Sequence, residues 1–241
     1  MKSTRDNKRG KTTMTQLQKL FEPIKVGNVE IKNRIAQAVF GGGCGYGKDD
    51  MVTDRLVNFF VERAKGGAGL LMVGTAPHQE ALIFSGSGVG IYHDRFIPGL
   101  KRLTDEVHKS GAKIGTQLMC RLTLPTGPGG QPEFVGPSDV VVNPRGGPKP
   151  RPLTVEEIGQ IVEEQGEGVR RAREAGFDLV EFFALAGNLV SQFMSPYTNK
   201  RTDEYGGSHE RRLRFLIEII ECAQRKAGRD FPLICRISGQ D

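Results

Sequence analysis

Two hydrophobic periods share the chain. Ile24-Lys-Val-Gly-Asn-Val-Glu-Ile31 alternates apolar and polar residues around a Gly-Asn pair, the pattern of a β-hairpin. Beyond it, short and nearly all-apolar runs occur at 34–40, 69–76, 113–119, 178–184 and 231–238. Runs of that kind suit parallel strands buried on both faces. Helical patterns lie between them. One begins near Thr53 and ends about Lys65, with Leu56, Phe59, Phe60 and Ala64 on one face. Others cover about 97–110, 155–175 and 210–227. Thr154-Val-Glu-Glu157 is a capping-box sequence that starts the 155–175 helix. The stretch 124–152 is rich in Pro and Gly, has no periodicity and reads as an active-site-type loop.

Strand and helix in repeated succession define an α/β protein with a parallel sheet. Periodicity alone leaves two closures open, a doubly wound sheet or a barrel. A barrel takes eight strand–helix units in typically ~250 residues, and this chain shows five strands and four helices after the hairpin. An arc of five strands would leave two exposed sheet edges. On the barrel reading the chain is therefore incomplete, as the N-terminal part of a longer protein or a truncated reading frame.

Composition narrows the class. The 241 residues are 37% hydrophobic and 26% charged, as in ordinary globular proteins. No apolar run approaches the ~20 residues of a membrane span. Residues 1–16 are basic and polar with no hydrophobic segment, which excludes a secretory signal and predicts a disordered tail, with Met14 as an alternative start. Cys44, Cys120, Cys222 and Cys235 show no Cys-x-x-Cys spacing, so reduced thiols in a cytoplasmic protein are expected, with no disulfide or metal framework. Net charge is +6. Much of the excess is in the tail, and Arg170, Arg171, Arg173, Arg211, Arg212 and Arg214 sit beside acids at helical spacing. That pattern describes solvated helix faces, so neither nucleic acid nor membrane is an expected partner. An anionic cofactor or small-molecule substrate fits the charge, and a homo-oligomer stays open.

Five patches, in order, carry a family resemblance. They are Leu20–Ile35, Arg63-Ala-Lys-Gly-Gly-Ala-Gly-Leu70, Gly90-Ile-Tyr-His-Asp94, Arg151-Pro-Leu-Thr-Val-Glu-Glu-Ile158 and the long loop around Asn199-Lys-Arg-Thr-Asp-Glu-Tyr-Gly-Gly-Ser208. Together they resemble the old yellow enzyme family of FMN oxidoreductases from about Leu20 to Asp241. The resemblance implies a (β/α)8 TIM barrel, incomplete here, with 17–241 as the N-terminal portion of an FMN-binding domain.

It also implies a cofactor site at the C-terminal ends of the strands. Gln117 matches the amide that meets the flavin pyrimidine edge; the alternative is a Gln that satisfies local backbone. Arg236 matches the arginine facing flavin N1 and O2; the alternative is an exposed edge position. Ala38, Val39, Phe40 and Gly41 match the segment lying against the flavin, and Thr75 fits a contact after the second strand. Val39 and Gly41 replace the family's usual Pro and Thr or Cys. The phosphate site belongs to later strands of this fold. The Gly-rich stretch 41–47 lacks the Gly-Lys-Ser/Thr ending of a P-loop and reads as a loop over the flavin.

The substrate side departs from the family. Where relatives carry a His–x–x–His or His–x–x–Asn pair and a Tyr, this chain has Phe183, Ala186 and Asn188. Phe183 and Ala186 cannot donate a hydrogen bond to a substrate carbonyl. Asn188 and Cys120 are left as catalytic candidates, Cys120 with a buried inert thiol as its alternative. His78 is the histidine nearest the site end, while His108 and His209 read as surface residues. The implied reaction passes hydride from NADH or NADPH through FMN to an electron-poor alkene of enoate, enone or dienoyl type. Flavin-dependent amine oxidation, electron transfer and a non-catalytic fragment are the alternatives. A 4Fe–4S cluster is implied only for a longer protein with further domains.

Overall fold

In the computed structural model, residues 18–40, 47–76, 89–124, 132–142 and 146–239 are described. The expectations for the 1–16 tail, Gly41, Cys44 and His78 lie outside them. The predicted hairpin is present: β1 (Ile24–Val26) and β2 (Val29–Ile31) pair antiparallel, and Gly27 turns the chain at φ 58°. The next elements are β3 (Ala36–Phe40), the small hairpin β4 (Gly47–Lys48) and β5 (Met51–Val52), α1 (Asp54–Lys65), β6 (Leu70–Ala76), β7 (Val89–Gly90) and α2 (Ile97–Lys109). Then come β8 (Lys113–Leu118), β9 (Thr123–Leu124), β10 (Glu133–Gly136), β11 (Arg151–Pro152) and α3 (Val155–Glu174). The chain continues through β12 (Leu179–Ala184), the short α4 (Leu189–Met194), α5 (His209–Ala227) and β13 (Leu233–Ile237).

The main sheet runs in the order β3, β6, β8, β12, β13, and every pair is parallel. Chain order equals spatial order, as successive strand–helix units require. Local signals start the helices. The Thr53 hydroxyl accepts from the Leu56 amide at 3.3 Å, and Thr154 and Glu157 complete both halves of the predicted capping box. Each satisfies amide groups that the first helical turn leaves without partners. Where no periodicity was read, the described residues include a small sheet of β9, β10 and β11.

Two apolar clusters lie on opposite faces of the main sheet. On one face Val73, Ile114, Leu118, Val180, Phe182 and Ala184 pack against the helices. On the other, Leu70, Met72 and Leu179 pack against Val26, Val29 and Ile31 of the hairpin. Gly115 makes the second layer possible. A Cβ there would come within 2.5 Å of Leu179 Cδ1 and 2.7 Å of Met72 Sδ. The hairpin thus stoppers one end of this face and leaves the strands' C-terminal ends to other residues.

At the opposite, N-terminal edge of the strands, Asp178 joins three elements. Its carboxylate accepts from the Ile114 amide at 2.8 Å and pairs with His108 Nε2 at 2.7 Å and Lys113 Nζ at 2.8 Å. This corrects the reading of His108 as a simple surface residue: α2 delivers its ring to a buried carboxylate. The arginines pair with acids as read, but Arg171, with its side chain 14% exposed, is not on a solvated face. Arg170 pairs with Asp94, Glu167 and Glu174, and Arg214 pairs with Glu218. No described helix is long and apolar enough to cross a membrane.

Candidate functional site

Past the Met72–Leu179 layer, the hairpin-facing side of the sheet changes from apolar to polar. Strand alternation puts Gly74, Gln117 and Glu181 on that face, one step toward the C-terminal ends. The register sets Gln117 opposite both Gly74 and Glu181. One step further, Phe183 lies opposite Arg236. Gln117 is 4% exposed, and its Nε2 donates to Glu181 Oε1. Its partner is therefore a side chain on the next strand, not local backbone. Glu181 escaped the sequence reading, although a carboxylate inside the apolar run Leu179–Ala184 was a signal.

Arg236 is exposed on β13, which forms one edge of the sheet among the described residues. Val39 packs on the hairpin-side cluster, whereas Ala38 is exposed. Phe40 and Thr75 lie on β3 and β6, with their side chains outside the described set.

The loop after β12 turns sharply. Ala186 has φ 56°, a left-handed conformation uncommon for a residue with a Cβ, and Gly187 follows at φ 77°. Ala186 lines a cavity of about 350 Å³ with Ser191, Ser195, Thr198 and Ser238. Asn188 sits elsewhere. It caps α4, its Oδ1 accepting from the Val190 amide at 3.3 Å while its Nδ2 donates to the Cys120 carbonyl at 3.1 Å. Both ends of the side chain are engaged within the protein. Cys120 is packed in the helix-side core, and burial, reinforced by Glu164, pushes its thiol well above the ordinary range. The structure thus brings Gln117, Phe183 and Arg236 to one face and places neither Asn188 nor Cys120 with free polar atoms there.

The loop that carried the resemblance works as a brace. Buried Asn199 donates from Nδ2 to the carbonyls of Phe193 and Tyr205, both at 2.7 Å. Arg201 reaches across to the carbonyls of Leu153 at 2.6 Å and Pro137 at 3.2 Å, while pairing with Asp203. The Tyr205 hydroxyl donates to Glu218 at 2.9 Å. These bonds tie the segment after β12 to the 132–154 segment and to α5.

Parallel strands in sequential order, with helices on one face and polar groups gathered at the C-terminal ends of the other, are the arrangement of part of a (β/α)8 barrel. Residues 19–241 match the NADH:flavin oxidoreductase / NADH oxidase family, and the chain belongs to that family. It is 41% identical over 226 residues to a metal reductase of Desulforamulus reducens, covering 92% of this chain and 33% of that protein. It is 38% identical over 228 residues to an NADPH dehydrogenase of Listeria monocytogenes, covering 93% and 65%. A cinnamate reductase of Clostridium sporogenes is 38% identical over 231 residues, covering 92% and 34%.

Among solved structures, old yellow enzyme from a Pichia species matches with a TM-score of 0.78 and 31% identity, covering 91% of this chain and 59% of that one. 2-Naphthoyl-CoA reductase in complex with 2-naphthoyl-CoA matches with a TM-score of 0.78 and 34% identity, covering 91% and 35%. The chain spans between a third and two thirds of the length of these curated relatives. The five strands form a half-barrel, helices outward, so the face carrying Gln117 and Glu181 is the barrel interior.

Proposed function

We propose that this chain supplies the ring-binding half of an FMN site in an oxidoreductase that takes hydride from NADH or NADPH. The observation carrying the reading is the Gln117–Glu181 pair on the interior face, with Arg236 in the next layer. The residues suit the group. A Gln amide has two N–H donors and one acceptor oxygen. With one N–H given to Glu181, Gln117 keeps a donor and an acceptor for the alternating groups of a flavin's pyrimidine edge. Arg236 adds a fixed positive charge, which favours an anionic reduced ring. FMN, when bound, would relay the hydride between nicotinamide and acceptor. Val39 gives that side of the site an apolar wall.

The acceptor we propose is an electron-poor alkene, in keeping with relatives described as reductases. Phe183 and Ala186 donate nothing to a substrate carbonyl, so polarisation falls to other groups, such as the hydroxyls of Ser195 and Ser238 around the Ala186 cavity. The same two residues favour a second reading, oxidation of an amine or plain electron transfer, in which no carbonyl must be held.

Titration of FMN with the 241-residue chain, followed by flavin fluorescence, tests the cofactor assignment. Saturable quenching is expected, weakened about tenfold or more in Gln117→Leu. An unchanged signal, or equal quenching by the variant, rejects it. Turnover of an enone, a tertiary amine and a quinone by the flavin-loaded protein then separates the two readings.

A further inference from the structure

The Ala186 cavity, about 350 Å³, lies where β12 and β13 end, because Ala186 and Ser238 follow the strands that bring Phe183 and Arg236 to the interior face. Gly187 lets one wall close in: a Cβ there would stand 2.9 Å from Val142 Cγ1. The hydroxyls around the cavity divide into two sets. Ser191 donates to the Asn188 carbonyl at 2.8 Å and Thr198 to the Gln192 carbonyl at 2.7 Å, so both hydrogens are spent within the protein. Ser195, Tyr197 and Ser238 form the other set. Ser195 Oγ accepts from the Tyr197 amide at 3.2 Å, which fixes the oxygen and leaves its O–H as a donor. Tyr197 is 56% exposed and Ser238 is exposed, so a solute can reach them. The charges nearby are one-sided. Lys200 Nζ lies 5.9 Å from the Tyr197 ring centroid, and Arg236 stands two residues before Ser238. Among the described residues lining the cavity none is acidic. The carbonyls that end α4, which would repel an anion, are taken by Thr198, Asn199 and Arg212.

We propose that this cavity binds the carboxylate of an α,β-unsaturated acid, held by the hydroxyls of Ser195, Tyr197 and Ser238 with Lys200 at the rim. The proposal rests on the reading of an electron-poor alkene as acceptor and narrows it from carbonyl compounds in general to free acids. An ionised carboxylate only accepts, through two oxygens, so it matches a set of donors. Hydrogen bonds to an ionised acceptor are roughly twice as strong as those to a neutral carbonyl. The positive surroundings attract the anion and do little for an ester or ketone. An ammonium group would meet Lys200 and Arg236 as like charges, which sets the cavity against cationic amines. Val142 and the Ala186 methyl group give the carbon chain of the acid an apolar wall, which an inorganic anion does not use.

Crotonate is the probe. The 241-residue chain, labelled with fluorotyrosine and free of flavin, is titrated with crotonate, methyl crotonate and inorganic phosphate, and binding is followed by fluorine NMR. The sequence has four tyrosines, and Tyr197→Phe identifies the Tyr197 signal. Crotonate is expected to shift that signal saturably and to bind about tenfold tighter than the ester or phosphate. Ser195→Ala and Ser238→Ala should each weaken crotonate about three- to tenfold and leave the ester unchanged. Ser238→Ala, at an exposed position, keeps the test open if Ser195→Ala disturbs the loop. Lys200→Ala should flatten the salt dependence of crotonate binding. Equal affinity for the acid and the ester overturns the proposal. So do phosphate binding as tight as that of crotonate, a Tyr197 signal that does not move, or crotonate affinity unchanged in both serine variants. Because flavin is absent, the outcome stands apart from that of the FMN titration: a chain that binds crotonate and not FMN keeps this site and loses the cofactor assignment.

Discussion

Arg201 donates from Nη1 to the carbonyl of Leu153 at 2.6 Å, across 48 positions of sequence. The same guanidinium reaches the Pro137 carbonyl and pairs with Asp203, holding the Asp203 carboxyl below its ordinary range. Its side chain is 10% exposed. One planar fork thereby fixes the segment ahead of α3 to the loop that follows β12. Arg201→Ala would strand two carbonyls and a carboxylate, at a cost of about 2–4 kcal/mol. Arg201→Lys should recover less than half of it, because an ammonium cannot span the same acceptors. Urea denaturation of the three proteins measures both; a loss within experimental error in Arg201→Ala contradicts the brace.

Asp178 should govern the acid limb of stability. Burial by itself would raise its carboxyl, but hydrogen bonds from His108, Lys113 and the Ile114 amide outweigh burial and hold it below the ordinary value. A carboxyl depressed on folding stabilises the protein above its unfolded pKa of about 3.9, and that contribution is lost as pH falls through the folded value. The unfolding midpoint should therefore drop steeply below about pH 4. Asp178→Asn should be less stable at neutral pH and lose part of that steepness. Parallel slopes for the two proteins below pH 4 would show that the acid limb arises elsewhere.

The contrast between these two sites shows what the sequence could disclose. Helix starts were legible because their determinants are local: Thr53 before Leu56, and Thr154 with Glu157 three positions on. The alternation of strand and helix was legible because each element buries its own periodic face. Partnerships set by strand register were not. His108 meets Asp178 from 70 positions away, and Gln117 meets Glu181 from 64. Asn188 shows the opposite error. Alignment with the family suggested a catalytic candidate, but an Asn directly before Leu189-Val190 is also a helix cap, and that is how the structure uses it. The identifying loop disclosed the family and not the chemistry, since Asn199, Arg201 and Tyr205 are spent on internal bonds.

The turn at Ala186 offers a stabilising change. At φ 56° its Cβ crowds the backbone, a penalty of roughly 1–2 kcal/mol for residues other than Gly. Ala186→Gly removes that strain and adds flexibility to the unfolded chain, worth about 0.4–1 kcal/mol in the opposite direction. The net expectation is a gain of between about 0 and 1.6 kcal/mol, seen as a higher thermal midpoint. A lower midpoint would mean that the Ala186 methyl group contributes packing that outweighs the strain.

Glu181 decides how Gln117 presents its amide. The carboxylate can only accept, so it selects the orientation in which Nε2 points along the sheet and Oε1 points away. Glu181→Gln keeps the shape but accepts or donates equally well, so the Gln117 amide can flip. FMN affinity should fall about three- to tenfold, with a stability loss of about 1 kcal/mol because a neutral hydrogen bond replaces a stronger charge-assisted one. Glu181→Leu removes the partner altogether and should weaken FMN further, while Gln117→Leu combined with Glu181→Gln should be no weaker than Gln117→Leu alone. That last comparison separates positioning from direct contact: additive losses in the double variant would mean that Glu181 touches the cofactor itself.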